Sequence, residues 1–200
     1  MKQPANIKQI ASLEPDFMGF IFYKGSKRYA GTLMPEELDQ LPENIKRVGV
    51  FVDEDIDEVL AIVMRYNLNG LQLHGAESVA YCMELKNKLN SAVFIIKAFG
   101  INEAFEFNGL DSYVDAVDYF LFDTQTPAHG GSGKQFDWSL LDNYKLQTPY
   151  FLSGGIGIEQ VEAIQVISDE RLYALDVNSR FETEPGVKDY DKLKNFKIRL

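Results

Sequence analysis

An α/β parallel barrel is the fold class this sequence predicts, and three observations predict it. Short apolar runs rich in β-branched and aromatic residues recur along the chain, with helical patterning between them. Each run is nearly continuous in its apolar character, as parallel strands are when both faces are covered. Marked loops, rich in glycine or charge, leave the C-terminal ends of the runs, where a (β/α)8 barrel, the TIM barrel, carries its chemistry. Seven runs are legible, so the expected architecture is a (β/α)8 TIM barrel with the first β-strand missing and seven parallel strands, all in one domain over 1–200. A doubly wound open sheet competes, but the Gly-rich turn that fold places after its first strand is not in this sequence.

A helix opens the chain from about Ala5, with Pro4 suited to its first turn. Strands are predicted at 17–22, 47–52, 70–73, 93–98, 119–122, 150–152 and 172–177. Ile56, Val59, Leu60 and Val63 keep helical spacing behind Asp55, a residue that caps and charges a helix start. Val79, Cys82, Met83 and Leu85 mark the next helix, Val161, Ile164 and Ile167 a later one, and 190–196 the last.

A net charge of −10, with no block of Lys and Arg, excludes a general nucleic-acid binder. It leaves room for a small anionic ligand held by backbone N–H groups and a few basic side chains. No apolar run is long enough to cross a bilayer, so no membrane partner is expected. The single cysteine, Cys82, rules out an internal disulfide and offers no metal cluster. A cytoplasmic soluble protein is expected.

The strand-end loops come in a definite order. They are Tyr23-Lys24-Gly25-Ser26-Lys27-Arg28-Tyr29, Gln72-Leu73-His74-Gly75, Asp123-Thr124 leading into Gly130-Gly131-Ser132-Gly133-Lys134 and Phe136-Asp137-Trp138, Ser153-Gly154-Gly155, and Asn178-Ser179-Arg180 with Pro185-Gly186-Val187-Lys188-Asp189. One Gly-Gly after a strand is as well read as a turn. Two such loops at the end of the barrel fit a phosphate site. Together with Gly19-Phe20-Ile21-Phe22 and Lys46-Arg47-Val48-Gly49-Val50-Phe51-Val52, the series closely resembles phosphoribosylanthranilate isomerase of tryptophan biosynthesis, over essentially the whole chain.

The resemblance implies an Amadori rearrangement of N-(5-phosphoribosyl)anthranilate to 1-(2-carboxyphenylamino)-1-deoxyribulose 5-phosphate, by general acid and base and without a cofactor. It implies that Asp123 is the acid, and that Arg28 engages the anthranilate carboxylate, a task suited to a planar guanidinium. Gly154, Gly155, Asn178, Ser179 and Arg180 match the phosphate loops, although many members carry Gly where Arg180 stands. Arg180 either adds a cation there or points to solvent. Gln72 and His74 lie two apart on one strand and face the barrel mouth together. His74 touches substrate, orients a neighbour, or is a satisfied structural histidine. Asp176, near the end of the last strand, also faces the mouth, and His129 is expected to be solvated.

The family's general base is a cysteine on the first strand, in a Lys-[Val/Ile]-Cys-Gly-[Met/Ile] run, and Cys82 is read instead as a buried helix residue. Met1 aligns with the last residue of that run. The expectation is therefore an internal start, a chain of low activity for want of the base, and strand edges that invite self-association or loosen 1–15. A non-catalytic phosphosugar-binding barrel is the alternative. Indole-glycerol-phosphate synthase is a weaker one, matched only by Lys97.

Overall fold

Pairing between β-branched and aromatic runs builds a single parallel sheet in chain order in the computed structural model, which describes residues 1–125 and 136–200. Its strands are β1 (Phe17–Ile21), β2 (Lys46–Phe51), β3 (Gly70–Leu73), β4 (Phe94–Ile101), β5 (Tyr119–Thr124), β6 (Tyr150–Leu152) and β7 (Leu172–Leu175). The seven expected strands are all present, several with shifted ends. β4 runs three residues past the predicted end, because Phe99, Gly100 and Ile101 pair with Phe122, Asp123 and Thr124. β7 stops at Leu175, although the amide of Asp176 still donates to Leu152 O at 2.8 Å.

The period of two along each strand divides the side chains between two apolar layers. Val48, Ile96, Ala98, Leu121 and Phe151 pack together inside the curl of the sheet. Their strand neighbours Phe20, Leu71, Leu73, Ile95, Phe120 and Leu152 face outward into the larger core beneath the helices. Phe17 of β1 meets Tyr173 of β7 with ring centroids 6.1 Å apart, so the two outer strands approach each other across the floor of the barrel. They are not paired, and their facing edges border a cavity of about 1150 Å³ that opens at the strands' C-terminal ends.

Among the described residues six α-helices connect or flank the strands: α1 (Pro4–Ala11), α2 (Pro35–Asp39), α3 (Ile56–Arg65), α4 (Val79–Lys88), α5 (Val161–Gln165) and α6 (Tyr190–Arg199). Asp55, Ser78 and Asp189 cap α3, α4 and α6 through their side chains, each worth about 1 kcal/mol. After β4 and β5 the expected β-then-α pattern gives way to 3₁₀ helices, Phe107–Tyr113 and Trp138–Asn143. The first of these holds Asn108, Gly109, Asp111 and Ser112, poor residues for a helix interior, while Phe107 and Leu110 remain buried.

The chain's beginning is tied down rather than loose. Ile7, Ile10 and Ala11 are buried, and Asn6 exchanges two hydrogen bonds with the backbone of Lys188, at 2.8 and 2.7 Å. Lys188 lies in an antiparallel hairpin, β8 (Glu182–Glu184) and β9 (Val187–Lys188), where the sequence suggested only a loop. Gly186 makes its turn at φ +86°, a conformation that favours glycine.

Candidate active site

Alternation along β5 places Asp123 on the same face as Tyr119 and Leu121, and hence at the mouth of the barrel. One of its oxygens accepts from the amide of Thr124 at 2.8 Å; the other lies 3.5 Å from His74 Nε2. On β3, Gln72 and His74 do share the mouth-facing side, with Gln72 Nε2 2.6 Å from His74 Nδ1. The ring therefore spans Gln72 and Asp123, which supports the orienting alternative for His74.

Gly154 closes this side of the mouth. Its φ is +89°, and a Cβ there would lie 2.4 Å from Thr124 Oγ1 and 3.1 Å from Asp123 Oδ1. Only glycine lets the loop after β6 approach the carboxylate so closely. Gly155 follows at φ +67°. Next to it, Ser153 donates its hydroxyl to Asp176 Oδ2 at 3.0 Å. Burial, and then the charge of Asp123, push the Asp176 carboxyl above the usual carboxylate range.

The opposite wall is a charge cluster. Arg28 donates from Nε and Nη2 to Glu182, at 2.9 and 2.7 Å to Oε2. Glu182 also accepts from Lys188 Nζ at 3.3 Å and the Gly186 amide at 3.0 Å. Burial acts to raise the Glu182 carboxyl, but Arg28 and Lys188 outweigh it and hold it below its ordinary value. Lys188 is itself lowered by burial, and it donates to Asn178 Oδ1 at 2.6 Å. The sequence reading placed Arg28 correctly at the mouth but assigned its whole fork to a ligand. The fork is engaged by Glu182, which leaves Nη1 as the donor without a partner among the described residues.

Ser179 and Arg180 line the same cavity on a short 3₁₀ turn, Ser179–Phe181. Arg180 pairs with the side chain of Glu159, so it is not left to solvent alone. Every candidate residue thus borders one cavity: Arg28, Gln72, His74, Asp123, Gly154, Gly155, Asp176, Asn178, Ser179 and Arg180. Sequence reasoning missed Glu182 and passed over Lys188, although Lys188 stands in the quoted Pro-Gly-Val-Lys-Asp run. Glu182 carried no local signal, since its partner Arg28 is 154 residues away. His129 and the Gly130–Lys134 loop lie outside the described residues.

Cys82 is fully buried on the inner face of α4, and burial pushes its thiol up to about 11. It does not border the cavity. Among the described residues no group of three or more His, Cys, Asp or Glu could hold a metal ion, and no helix is long and apolar enough to cross a membrane.

Residues 1–198 match the family model for N-(5'phosphoribosyl)anthranilate (PRA) isomerase. A curated relative of that name from Parabacteroides distasonis is 46% identical over 98% of this chain and 88% of its own length. The crystal structure of phosphoribosyl anthranilate isomerase from Thermotoga maritima is 35% identical and superposes with a TM-score of 0.81, covering 100% of this chain and 94% of that one. A further isomerase structure holds reduced 1-(o-carboxyphenylamino)-1-deoxyribulose 5-phosphate; it is 30% identical, with a TM-score of 0.74 over 98% of this chain and 92% of that chain.

Proposed function

This chain belongs to the N-(5'-phosphoribosyl)anthranilate isomerase family of tryptophan biosynthesis, and from that premise we propose how its mouth handles the substrate. The observation that carries the reading is the position of Asp123, at a strand end, 3.5 Å from His74 and lining one cavity with Arg28 and Lys188. Asp123 delivers a proton to the ribose ring oxygen as the C1′–O bond breaks, and the anthranilate nitrogen supplies the electron pair that makes the C1′ iminium. Loss of the C2′ proton to a base then sends the C–H electron pair into a C1′–C2′ double bond while the C1′–N π pair returns to the anthranilate nitrogen, and the resulting enol tautomerises to the C2′ ketone.

Binding divides between the two walls. The free Nη1 of Arg28, held in place by Glu182, faces the anthranilate carboxylate. Gly154, Gly155, Asn178, Ser179 and Arg180 surround the phosphate, with Lys188 as a second cation nearby. Asp176, raised and bonded to Ser153, keeps a proton more readily than an ordinary carboxyl and so can sit beside Asp123 in one cavity. A cytoplasmic setting and a single domain over 1–200 complete the proposal, the domain supported by seven strands paired in chain order in one sheet.

One observation favours the binding-only alternative: the one thiol of these 200 residues lies outside the cavity. Two measurements decide between them. Binding of the reduced ribulose phosphate analogue is expected in either case. Turnover by the 200-residue chain, compared with the same chain carrying Lys-Val-Cys-Gly before Met1, is expected to rise by about 10²–10⁴ on addition of the thiol. Equal and negligible turnover by both would establish the binder. The outer edge of β1 is partly covered, by the Met1 amine on Gly19 O at 2.9 Å and the Ala30 amide on Ile21 O at 2.7 Å, and the open edge of β7 supports self-association, read as a concentration-dependent mass in sedimentation.

A further inference from the structure

Lys97 is the buried cation that the chemistry above leaves unused. It stands on β4 between Ile96 and Ala98, both of which face the barrel interior, so its own side chain points the other way, into the outer core. It is 2% exposed, and its ammonium cannot reach a ligand in the mouth. Its contacts are specific. It donates to Gly75 O at 2.9 Å, Glu77 Oε2 at 3.0 Å, Ala98 O at 3.1 Å and Leu73 O at 3.3 Å.

Glu77, 5% exposed, completes the arrangement. It accepts from the Gly75 amide with both oxygens, at 3.2 and 3.0 Å, and from the Asp53 amide at 2.9 Å. Asp53 has φ +48°, an uncommon conformation for a residue with a side chain, and the Glu77 contact holds it there. The residue enclosed by all these bonds is His74. The carbonyl before it and the carbonyl and amide after it are each gripped by one member of the pair.

We infer that the buried Lys97–Glu77 pair is the positioning element that sets the His74 ring against Asp123. A buried ion pair is a poor device for stability, because desolvation cancels most of the Coulomb gain. Fixing a loop is a use for which its cost is repaid. Lys97 and Glu77 are positioning residues and not catalytic ones, since neither side chain borders the cavity. The catalytic half of the inference rests on Asp123 being the acid; the structural half does not.

The test uses the chain labelled with ¹⁵N-histidine, the two histidines being told apart by His129→Gln. In the parent, Asp123→Asn is expected to shift the His74 Nε2 resonance. In Lys97→Met and in Glu77→Gln the His74 ring resonances are expected to move, and their response to Asp123→Asn to vanish. With turnover of the chain carrying Lys-Val-Cys-Gly before Met1 as a second readout, each variant is expected to lower kcat about tenfold or more with KM within about twofold. Asp169→Asn, at the far end of the barrel, serves as the control and leaves resonances and kcat unchanged while lowering Tm. A folded Lys97→Met with parental His74 resonances overturns the inference, whatever its kcat. If Lys97→Met does not fold, Glu77→Gln, which keeps shape and one acceptor, decides on the same criterion. If the chain carrying Lys-Val-Cys-Gly before Met1 also shows no turnover, the enzymatic reading falls, and the resonances still decide this one.

Discussion

The two ends of this barrel each hold an arginine clamped by a carboxylate, and they differ in what is left over. At the floor, Arg171 donates from Nε and Nη2 to Asp169, both at 2.8 Å, and from Nη1 to the carbonyls of Tyr144 and Leu146. Its guanidinium also lies 4.7 Å from the centre of the Tyr144 ring. At the mouth, Arg28 makes the same fork to Glu182, yet its Nη1 has no partner among the described residues. The floor is saturated with bonds to its own chain. The mouth is clamped on one side only, and the free side faces a cavity.

The neighbours follow the same division. Phe17, Phe94, Tyr119, Phe151 and Tyr173 fill the floor with ring contacts between 4.7 and 6.1 Å. The mouth carries Asp123, Asp176, His74 and Lys188 around open space. A closed end stabilises and an open end binds, as the fold's general asymmetry leads one to expect. Substitutions at the two ends should therefore separate into losses of turnover and losses of stability.

The largest expected effect is at the mouth. Asp123→Asn keeps the shape and both hydrogen-bonding positions but removes the proton to be given. In the chain carrying Lys-Val-Cys-Gly before Met1 its kcat is expected to fall about 10²–10⁴-fold, with little change in Tm. Steady-state kinetics and a thermal melt check both halves. A variant retaining parental kcat would remove Asp123 from the chemistry and break the comparison at its centre.

Next comes the clamp. Arg28→Lys keeps the charge but cannot fork to Glu182 while also reaching a ligand. Its KM is expected to rise about 10- to 100-fold, in proportion to the loss of a charge-assisted bond of about 1.5–3 kcal/mol. Glu182→Gln should move KM in the same direction by less, since Gln still accepts from Arg28. Equal effects on kcat and none on KM would mean that Arg28 has no part in binding.

How much of this was readable beforehand follows the same geometry. Strand-end residues were legible because period two fixes their face: Gln72, His74 and Asp123 all reach the mouth as expected. Gly154 was legible as a turn, but not as the residue whose missing Cβ admits Asp123 and Thr124. Glu182 and the Lys97–Glu77 pair were not legible, because each depends on a partner from another strand or loop. Lys97 in particular matched a weaker family reading as a catalytic lysine, and the strand's alternation turns it away from the mouth. The β8–β9 hairpin escaped notice because its strands are three and two residues long, too short to show a pattern.

At the floor the effects are smaller and of the other kind. Asp169 is held down to about 2 from 3.8 by the Arg171 fork, with further help from the Tyr150 hydroxyl at 3.1 Å. A carboxyl lowered in the folded state contributes stability that is present above its unfolded value and lost as pH falls through the folded one. The window is therefore from about pH 4 down to about pH 2, and the contribution on the order of 1–2 kcal/mol for a partly exposed group. Asp169→Asn should lower Tm at pH 7 and flatten the loss of stability across that window, with kcat unchanged. Denaturant titrations at pH 2, 3, 4 and 7 read it directly. A change in kcat would mean that the two ends are coupled.

The smallest expected effect concerns the group that belongs to neither end. Cys82 is buried on the inner face of α4, with its thiol pushed up to about 11, so at neutral pH it is protonated and a poor base or nucleophile. Cys82→Ala removes a single sulfur from a packed layer, which costs about 1 kcal/mol of stability. Turnover should not change, and thiol-directed alkylation of the folded chain should be slow. A loss of kcat in Cys82→Ala without a matching loss of stability would place a working thiol in the outer layer, and the assignment of all chemistry to the mouth would fail with it.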